Sequence, residues 1–226
     1  MIDGLKEKLG VYKYEILLFA LITHLYIGIF IPDLDLYTYV VWPINMVFLG
    51  IASVGVFVEK TKVKRRFQNV VWIIAFLLPL GILVFGKLDS YMEGISIFYC
   101  LFFGFILFEV IRFLIRPGYI NRDIISASAC GYFLMIEAAV FLYQSFFYFD
   151  PMAISNVSTE HPAETYMDLV YFSSISITSI GYGDVTPNSN ATRLISSFFG
   201  VVSQFYVVVL VGILISKFTN AQTKNL

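Results

Sequence analysis

Long apolar runs constrain this chain more than any other feature of its sequence. A run of about 20 apolar residues is long enough to cross a bilayer as a helix. Hydrophobic residues make up 58% of the 226 residues and charged residues only 14%, a balance typical of membrane proteins and not of soluble domains. We therefore predict an all-α polytopic membrane protein with six transmembrane helices, at about residues 14–31, 37–58, 69–86, 93–115, 123–149 and 191–218.

A further apolar run, at about residues 164–178, is too short to cross the membrane. Pro162 and Glu164 suit the start of a helix here, because proline fits the first turn and a carboxylate favours the positive end of the helix dipole. The run leads directly into a polar, glycine-bearing stretch. We therefore predict a re-entrant half-helix that enters the membrane and returns to the same side.

The basic residues predict the orientation of the spans. In a six-span arrangement Lys87 and Arg193 lie on one side, and the other 13 lysines and arginines lie on the opposite side. Because cytoplasmic loops are enriched in basic residues, we expect a cell-membrane protein with both termini in the cytoplasm. The majority group is Lys6, Lys8, Lys13, Lys60, Lys62, Lys64, Arg65, Arg66, Arg112, Arg116, Arg122, Lys217 and Lys224.

One part of that majority group is a basic cluster between the second and third predicted spans. Such a cluster is able to hold anionic lipid head groups, although the same charges also satisfy the orientation rule. The net charge of −1 gives no indication of a nucleic-acid partner. The cluster consists of Lys60, Lys62, Lys64, Arg65 and Arg66.

The polar stretch after the half-helix, residues 176–187, reads Ser-Ile-Thr-Ser-Ile-Gly-Tyr-Gly-Asp-Val-Thr-Pro. Gly181 and Gly183 lack a Cβ, so they adopt backbone conformations that other residues avoid. Such a backbone is able to turn its carbonyl oxygens toward a common axis. Stacked carbonyl dipoles of this kind replace the water shell of a permeating cation.

Within this stretch, residues 179–184 resemble the signature Thr-Val-Gly-Tyr-Gly-Asp of six-span tetrameric potassium channels. Serine replaces the first threonine and keeps its hydroxyl, and isoleucine replaces valine and keeps the β-branch. The resemblance covers roughly residues 123–218, where span, half-helix, filter and span follow in the order of the family's pore domain. It implies a selectivity filter made of Ser179, Ile180, Gly181, Tyr182 and Gly183, with K+ held at the first four of these positions and no other cofactor.

The same resemblance implies a homotetramer, since a ring of carbonyls from four filter segments requires four chains when each chain carries one such motif. It divides the chain into a four-helix peripheral domain, residues 1–120, and a pore domain, residues 121–226. The short length resembles the family's small prokaryotic members.

Other pore residues follow from position. We expect the Tyr171 hydroxyl to reach Asp184 behind the filter, with simple aromatic packing as the alternative, and Thr178 to support the filter at the end of the half-helix. Ser203 stands where the family often has a hinge glycine, so Gly200 and Gly212 are the candidate hinges. A stripe at helical spacing on the last span either faces the inner cavity, where it is able to gate the pore, or packs on neighbouring helices; it consists of Gln204, Val207, Val211 and Ile215.

The four N-terminal spans match the number found in voltage-sensing domains. A voltage sensor needs several arginines in its fourth helix, because each charge moved through the field contributes only about 2.3 kcal/mol per 100 mV. Here the fourth predicted span carries Arg112 alone, with Arg116 just beyond its end. We therefore expect little intrinsic voltage dependence.

Three ionisable residues lie inside or at the edge of predicted spans: His24, Glu109 and Glu137. Ionisable groups within the membrane are rare and are candidates for a functional role. Glu137 is the most central, and it is placed either to couple the peripheral helices to the pore, to respond to pH, or to form a structural hydrogen bond between helices. A single histidine such as His24 does not make a metal site.

Three other classes of protein compete with a potassium channel. A non-selective cation channel of the same fold differs only in the chemistry of its filter. A transporter built from filter-like repeats needs four such loops in one chain, and this sequence has one. An enzyme is disfavoured, because the sequence contains no nucleophile with its base, no metal-spaced ligands and no phosphate-binding loop. The sequence leaves the gating signal open between membrane tension, pH, a small molecule and constitutive leak.

Overall fold

The computed structural model describes residues 12–54, 62–85, 88–115 and 122–223. These ranges are mostly helical. The helices are α1 (Lys13–Tyr26), α2 (Trp42–Val54), α3 (Lys62–Phe85), α4 (Asp89–Ile115), α5 (Arg122–Phe149), α6 (Pro162–Ile177) and α7 (Asn190–Thr223).

Five stretches of the described residues are long and apolar enough to cross a membrane. They are Lys13–Phe30, Leu34–Ser53, Asp89–Ile115, Asp123–Phe149 and Asn190–Leu210, and they coincide with five of the six predicted runs. The remaining run corresponds to α3, in which the described apolar part, Ile73–Ile82, is shorter than a span. The chain is therefore a multi-pass membrane protein, and the third span stays a prediction.

The connection between α1 and α2 is itself helical. A 3-10 turn, Ile27–Phe30, extends α1. Asp33 then caps a single helical turn, Leu34–Leu36, by accepting a hydrogen bond from the backbone N–H of Leu36 at 2.9 Å. A π-helical segment, Tyr37–Val41, leads without a break into α2. Such π-helical segments often mark functional positions in a helix.

The centre of the fold is α5, whose most extensive packing is against α4, followed by α1 and α6. Within the described residues, 78% of an apolar 18-residue stretch of α5 is buried. Large aromatic side chains fill this core; the ring of Phe141, for example, lies 5.2 Å from that of Tyr99 and 5.5 Å from that of Phe103, measured between centroids. These distances are in the favourable range for aromatic pairs.

Helix α6 begins where the sequence predicted the half-helix. Pro162 is its first residue, Glu164 lies in its first turn, and the His161 side chain accepts a hydrogen bond from the backbone N–H of Ala163 at 3.2 Å. The loops on either side of α6 and the polar stretch are joined by two short antiparallel strands, β1 (Ile154–Ser155) and β2 (Thr186–Pro187).

Helix α7 is much less buried than α5, since only 11% of an apolar 18-residue stretch of α7 is buried. Ser203 is buried on the face toward α6, whereas an opposite face is apolar and exposed. The exposed residues recur at intervals of three and four, so they form one stripe along the helix. This α7 stripe consists of Leu194, Phe198, Val201, Phe205 and Val208.

Candidate functional site

The backbone after α6 alternates in conformation. Ser179, Gly181 and Gly183 have positive φ angles of 60°, 55° and 80°, and the intervening residues do not. In an extended strand successive carbonyls point to opposite sides, so reversing every second residue turns them toward one side. A left-handed conformation costs a residue with a side chain about 1–2 kcal/mol, which indicates that the surroundings of Ser179 enforce its backbone.

Those surroundings are the last turn of α6. The backbone N–H groups of Ile180 and Gly181 both donate to the carbonyl of Ile175, at 2.9 and 3.2 Å, and the N–H of Ser179 donates to that of Ser176 at 3.1 Å. Among the described residues, no hydrogen bond reaches the carbonyls of residues 179–183. The backbone N–H groups of this segment therefore bond to the end of α6, and its carbonyl oxygens stay available as ligands.

Above this segment, Asp184 is held from two sides. The Tyr171 hydroxyl donates to Asp184 Oδ2 at 2.5 Å, which is the contact expected from the sequence. The same bond is the main reason that the pKa of Asp184 lies below its usual value. On the other side, the Asn156 side-chain amide donates to the Asp184 carbonyl at 2.6 Å.

Sequence reasoning missed Asn156. Its φ angle is 65°, a conformation that asparagine tolerates better than most residues, so an asparagine in the loop before α6 was the available signal. The same loop is fixed to α6 by Ser158, whose N–H donates to Asp168 Oδ2 at 2.8 Å and whose hydroxyl donates to Glu164 Oε2 at 2.7 Å. The loop thus forms a fixed frame around the polar stretch.

On the inner side, α7 contacts the base of the polar stretch. Gln204 Nε2 donates to Ser179 Oγ at 2.9 Å, and the buried Ser203 hydroxyl donates to the Ile177 carbonyl at 2.8 Å. Thr178 caps α6 and donates to the Ser174 carbonyl at 2.7 Å. Ser203, noted in the sequence only as a replacement for glycine, is therefore an anchor between α7 and α6.

The remaining gate and hinge candidates are only partly described. Val207 is exposed, as is Gln204, whereas the side chains of Val211 and Ile215 lie outside the described residues. A Cβ at Gly200 or Gly212 meets nothing within 4 Å in this chain, so close packing does not require glycine at either position, and a hinge there stays a prediction.

Two of the three ionisable residues in the spans are in contact. His24 on α1 and Glu137 on α5 are fully buried, with 2.8 Å between Nδ1 and Oε1. Glu109 lies elsewhere, at 3.5 Å from Arg112 one turn along α4. The predicted lipid cluster falls outside this description, since Lys60 and the side chains of Lys62, Lys64, Arg65 and Arg66 are not among the described residues.

Comparison with known proteins agrees with this geometry. Residues 130–220, which run from α5 through the polar stretch into α7, match a family model described as an ion channel. Two proteins of Arabidopsis thaliana, two-pore potassium channel 1 and two-pore potassium channel 2, are 40% and 39% identical to this chain over 57 residues. That segment is 25% of this chain and covers 15% and 12% of the two relatives. No solved structure matches the chain.

Residues 130–220 are thus similar to an ion-channel domain, and they lie in a multi-pass membrane protein. The two relatives are named as potassium channels.

Proposed function

We propose that this chain is one subunit of a homotetrameric, potassium-selective channel that conducts K+ passively through a carbonyl-lined filter. The filter consists of Ser179, Ile180, Gly181, Tyr182 and Gly183. K+ is the permeant ion at the first four of these positions, and no cofactor or catalytic step is involved.

The observation that carries this proposal is the backbone of the filter segment. Its φ angles alternate in sign, and its N–H groups are bonded to the end of α6. Carbonyl dipoles brought together in this way are suited to replace the water shell of a cation. The carbonyl end of α6 carries a partial negative charge that also favours a cation at the base of the filter.

Exposure in the single chain supports an assembly. Ile180 is 54% exposed and Tyr182 is 72% exposed, and the apolar α7 stripe is also uncovered. An apolar stripe on a membrane helix faces either lipid or another subunit, and the exposed side chains of the filter favour a subunit on this side. Four copies around one axis would bring four filter segments together and cover these side chains.

Selectivity for K+ over Na+ is the finer part of the proposal. The filter sequence and the two relatives named as potassium channels support it. The same fold with altered filter chemistry would make a non-selective cation channel, which differs in its response to the two ions.

The remaining features follow from the chain order. Residues 1–120 would form a peripheral four-helix domain that does not sense voltage, and residues 121–226 the pore. Both termini would lie in the cytoplasm, in agreement with the distribution of basic residues. Arg112 on α4 is half exposed and paired with Glu109, so conductance should change little with voltage; a steep conductance–voltage curve with many gating charges would contradict this part.

The test is reconstitution of the purified protein in planar bilayers with KCl on one side and NaCl on the other. A selective filter gives a reversal potential far from zero, set by the potassium gradient. A reversal potential near zero with clear currents would indicate a non-selective channel, and no current in either salt would reject the proposal.

A pair of glycine variants isolates the filter within that test. Gly181→Ala places a side chain at a positive φ angle, at a cost of about 1–2 kcal/mol in each chain. We expect potassium current to fall by at least about tenfold. Gly200→Ala is the matched control, because it lies in a helix with open space around the added Cβ and should leave the current nearly unchanged.

A further inference from the structure

Three polar side chains from different helices meet inside the core. His24 of α1 and Glu137 of α5 are both fully buried, and 2.8 Å separates Nδ1 from Oε1. The hydroxyl of Tyr166, on α6, lies 3.1 Å from the same Nδ1 atom. This buried trio therefore connects the first span, the central helix and the half-helix that carries the filter segment.

His24 and Glu137 are both able to gain or lose a proton, and their hydrogen bonds leave more than one protonation state open. An imidazole nitrogen carries either one N–H or one lone pair, so Nδ1 is shared between Glu137 and Tyr166. His24 Nε2 and Glu137 Oε2 have no hydrogen-bond partner among the described residues. An isolated buried charge is costly, so the favoured state is the neutral one, in which the histidine and the carboxyl hold one dissociable proton between them.

A change from this state has a structural cost. Without the proton, the carboxylate faces an imidazole that has no donor at Nδ1 when the proton resides on Nε2, and the pair carries a net negative charge. With a second proton, an imidazolium faces a neutral carboxyl, which is a weaker hydrogen-bond acceptor than a carboxylate, and the pair carries a net positive charge. Either change weakens the contact between α1, α5 and α6.

The other groups around the trio are mainly aromatic. Phe141 of α5 stacks on the His24 ring at 6.3 Å, and Trp42 of α2 lies at 6.0 Å. The next carboxylate on α1, Glu15, precedes His24 by more than two helical turns, about 13 Å along the helix. The titratable groups that face the trio or its aromatic shell are the hydroxyls of Tyr26 on α1, Tyr37 on the π-helical segment and Tyr99 on α4.

A small cavity lies at the start of α6, beside Tyr166, which is the member of the trio that lines it. It has a volume of about 30 Å³ and is lined by Tyr166, Thr38, Gln144 and the first residues of α6, Pro162 and Ala163. This volume suffices for one water molecule. Thr38 Oγ1 and Gln144 Oε1 are buried without another partner in the described residues, so both are available to bind water. The Thr38 hydroxyl both accepts and donates and is able to relay a proton, whereas Gln144 Oε1 only accepts.

The trio also lies on the route from the peripheral helices to the filter segment. Tyr166 is on the helix whose Ile175 carbonyl holds Ile180 and Gly181. Helix α1 contacts α6 a second time through Tyr26, whose hydroxyl is 3.2 Å from Ser174 Oγ. Helix α1 therefore contacts α6 at two points, and one of these points includes the titratable groups of the trio.

We propose that His24, Glu137 and Tyr166 form a proton-binding site whose occupancy controls potassium conduction by holding or releasing α6. His24 and Glu137 bind the proton, and Tyr166 is the positioning residue that transmits the change to the half-helix. The inference rests on the proposed channel function for its effect on current, but not for the binding of the proton.

The first experiment measures the proton site without using current. Purified, reconstituted wild-type protein is titrated from about pH 4 to about pH 10, with ¹⁵N NMR of labelled histidine and infrared spectroscopy of the carboxyl stretch. The sequence contains only two histidines, His24 and His161, so His161→Gln assigns the remaining histidine signal. We expect the His24 signal and the carboxyl band that disappears in Glu137→Gln to titrate together, because coupled groups share their titration steps.

The second experiment measures potassium current over the same pH range. We expect a bell-shaped profile in the wild type, retained in His161→Gln, and a flat profile in the double variant His24→Gln/Glu137→Gln, whose neutral amides preserve a hydrogen bond. Tyr166→Phe should keep the spectroscopic titration while the response of the current is reduced by at least about half. The Tyr166→Phe result separates transmission from a purely structural role.

Three other outcomes would each reject one part of the proposal. His24 and Glu137 signals that stay constant over the whole range would reject the proton site. A pH profile that persists in the double variant, or disappears in His161→Gln, would reject its control of conduction. Wild-type protein that passes no potassium would reject the channel function, and the spectroscopy on the same sample would still decide whether the trio binds a proton.

Discussion

Helices α5 and α7 contain apolar 18-residue stretches of similar hydropathy, yet 78% of the stretch in α5 and only 11% of the stretch in α7 is buried. The chain itself covers α5 with α4, α1 and α6. It leaves the α7 stripe bare, although α7 touches the filter segment through Gln204. The difference teaches that hydropathy identifies a membrane helix but not its partners: the chain itself covers most of α5, whereas it contacts α7 on one face and leaves the α7 stripe exposed.

The strongest test of this contrast removes a ring from the buried helix. Phe141→Ala leaves a cavity among Tyr99, Phe103 and His24, and we expect the free energy of unfolding to fall by about 3 kcal/mol. Thermal unfolding of the detergent-solubilised protein, followed by circular dichroism, measures this. A melting temperature within one degree of wild type would mean that α5 is not the centre of the core.

A second change targets the exposed helix. Phe205→Ala on the α7 stripe, where the ring is 70% exposed in the single chain, should leave the fold of the subunit intact. It should weaken assembly roughly tenfold, about 1.4 kcal/mol, because packing drives helix association in membranes. Light scattering after size-exclusion chromatography in increasing detergent gives the oligomeric state.

Phe108→Ala is the matched control for Phe205→Ala, since that ring on α4 is also exposed, at 60%. We expect it to leave the assembly unchanged. Equal loss of assembly in the two variants would show that the α7 stripe is no more important than any other apolar surface.

A third change concerns the hydrogen bond between Tyr171 on α6 and Asp184, which follows the proposed filter. The bond from Tyr171 lowers the pKa of Asp184, so its stabilising contribution is complete above the usual carboxyl pKa of about 3.9 and is lost as pH falls through the lowered value. In Tyr171→Phe the pKa should return toward normal. We expect faster inactivation of potassium current, with the effect of external acid beginning at a higher pH.

Inactivation rates at external pH values between about 6 and 3 measure this effect. Tyr39→Phe, in the π-helical segment, is the control for loss of a hydroxyl. Inactivation in Tyr171→Phe that matches wild type at every pH would leave aromatic packing as the only role of Tyr171.

The smallest expected effect concerns Ser203, the buried serine of α7 that bonds to α6. Ser203→Ala removes the donor to the Ile177 carbonyl, at a cost of about 1 kcal/mol in stability. Ser197→Ala, on an exposed position of the same helix, should cost nothing measurable. Denaturation midpoints of the two variants that coincide would mean that α7 is held to α6 by apolar packing alone.

The sequence predicted what depends on local pattern. The length of apolar runs located α1, α2, α4, α5 and α7, and Pro162 with Glu164 located the start of α6. The glycine motif predicted two of the three positive φ angles in residues 179–183, because glycine adopts them readily, and its role as a filter stays a prediction. The contact between Tyr171 and Asp184 was expected only from a resemblance.

Other features depend on contacts between distant parts of the chain, and hydropathy carries no signal for them. His24 and Glu137 were each noted, but they are 113 residues apart, and nothing local indicates that they touch. Asn156 was missed because its role depends on a carbonyl 28 residues later. The burial of α5 and the exposure of α7 were also beyond reach, since the two helices have similar composition.

The short hairpin of β1 and β2 has a consequence for motion. Ile154 pairs with Pro187 and Ser155 with Thr186, so α6 and the filter segment lie within a loop whose two ends are fastened together. Closing the loop removes much of its conformational entropy once, during folding. A displacement of the hairpin therefore moves the loop before α6 and the residues after the filter segment together.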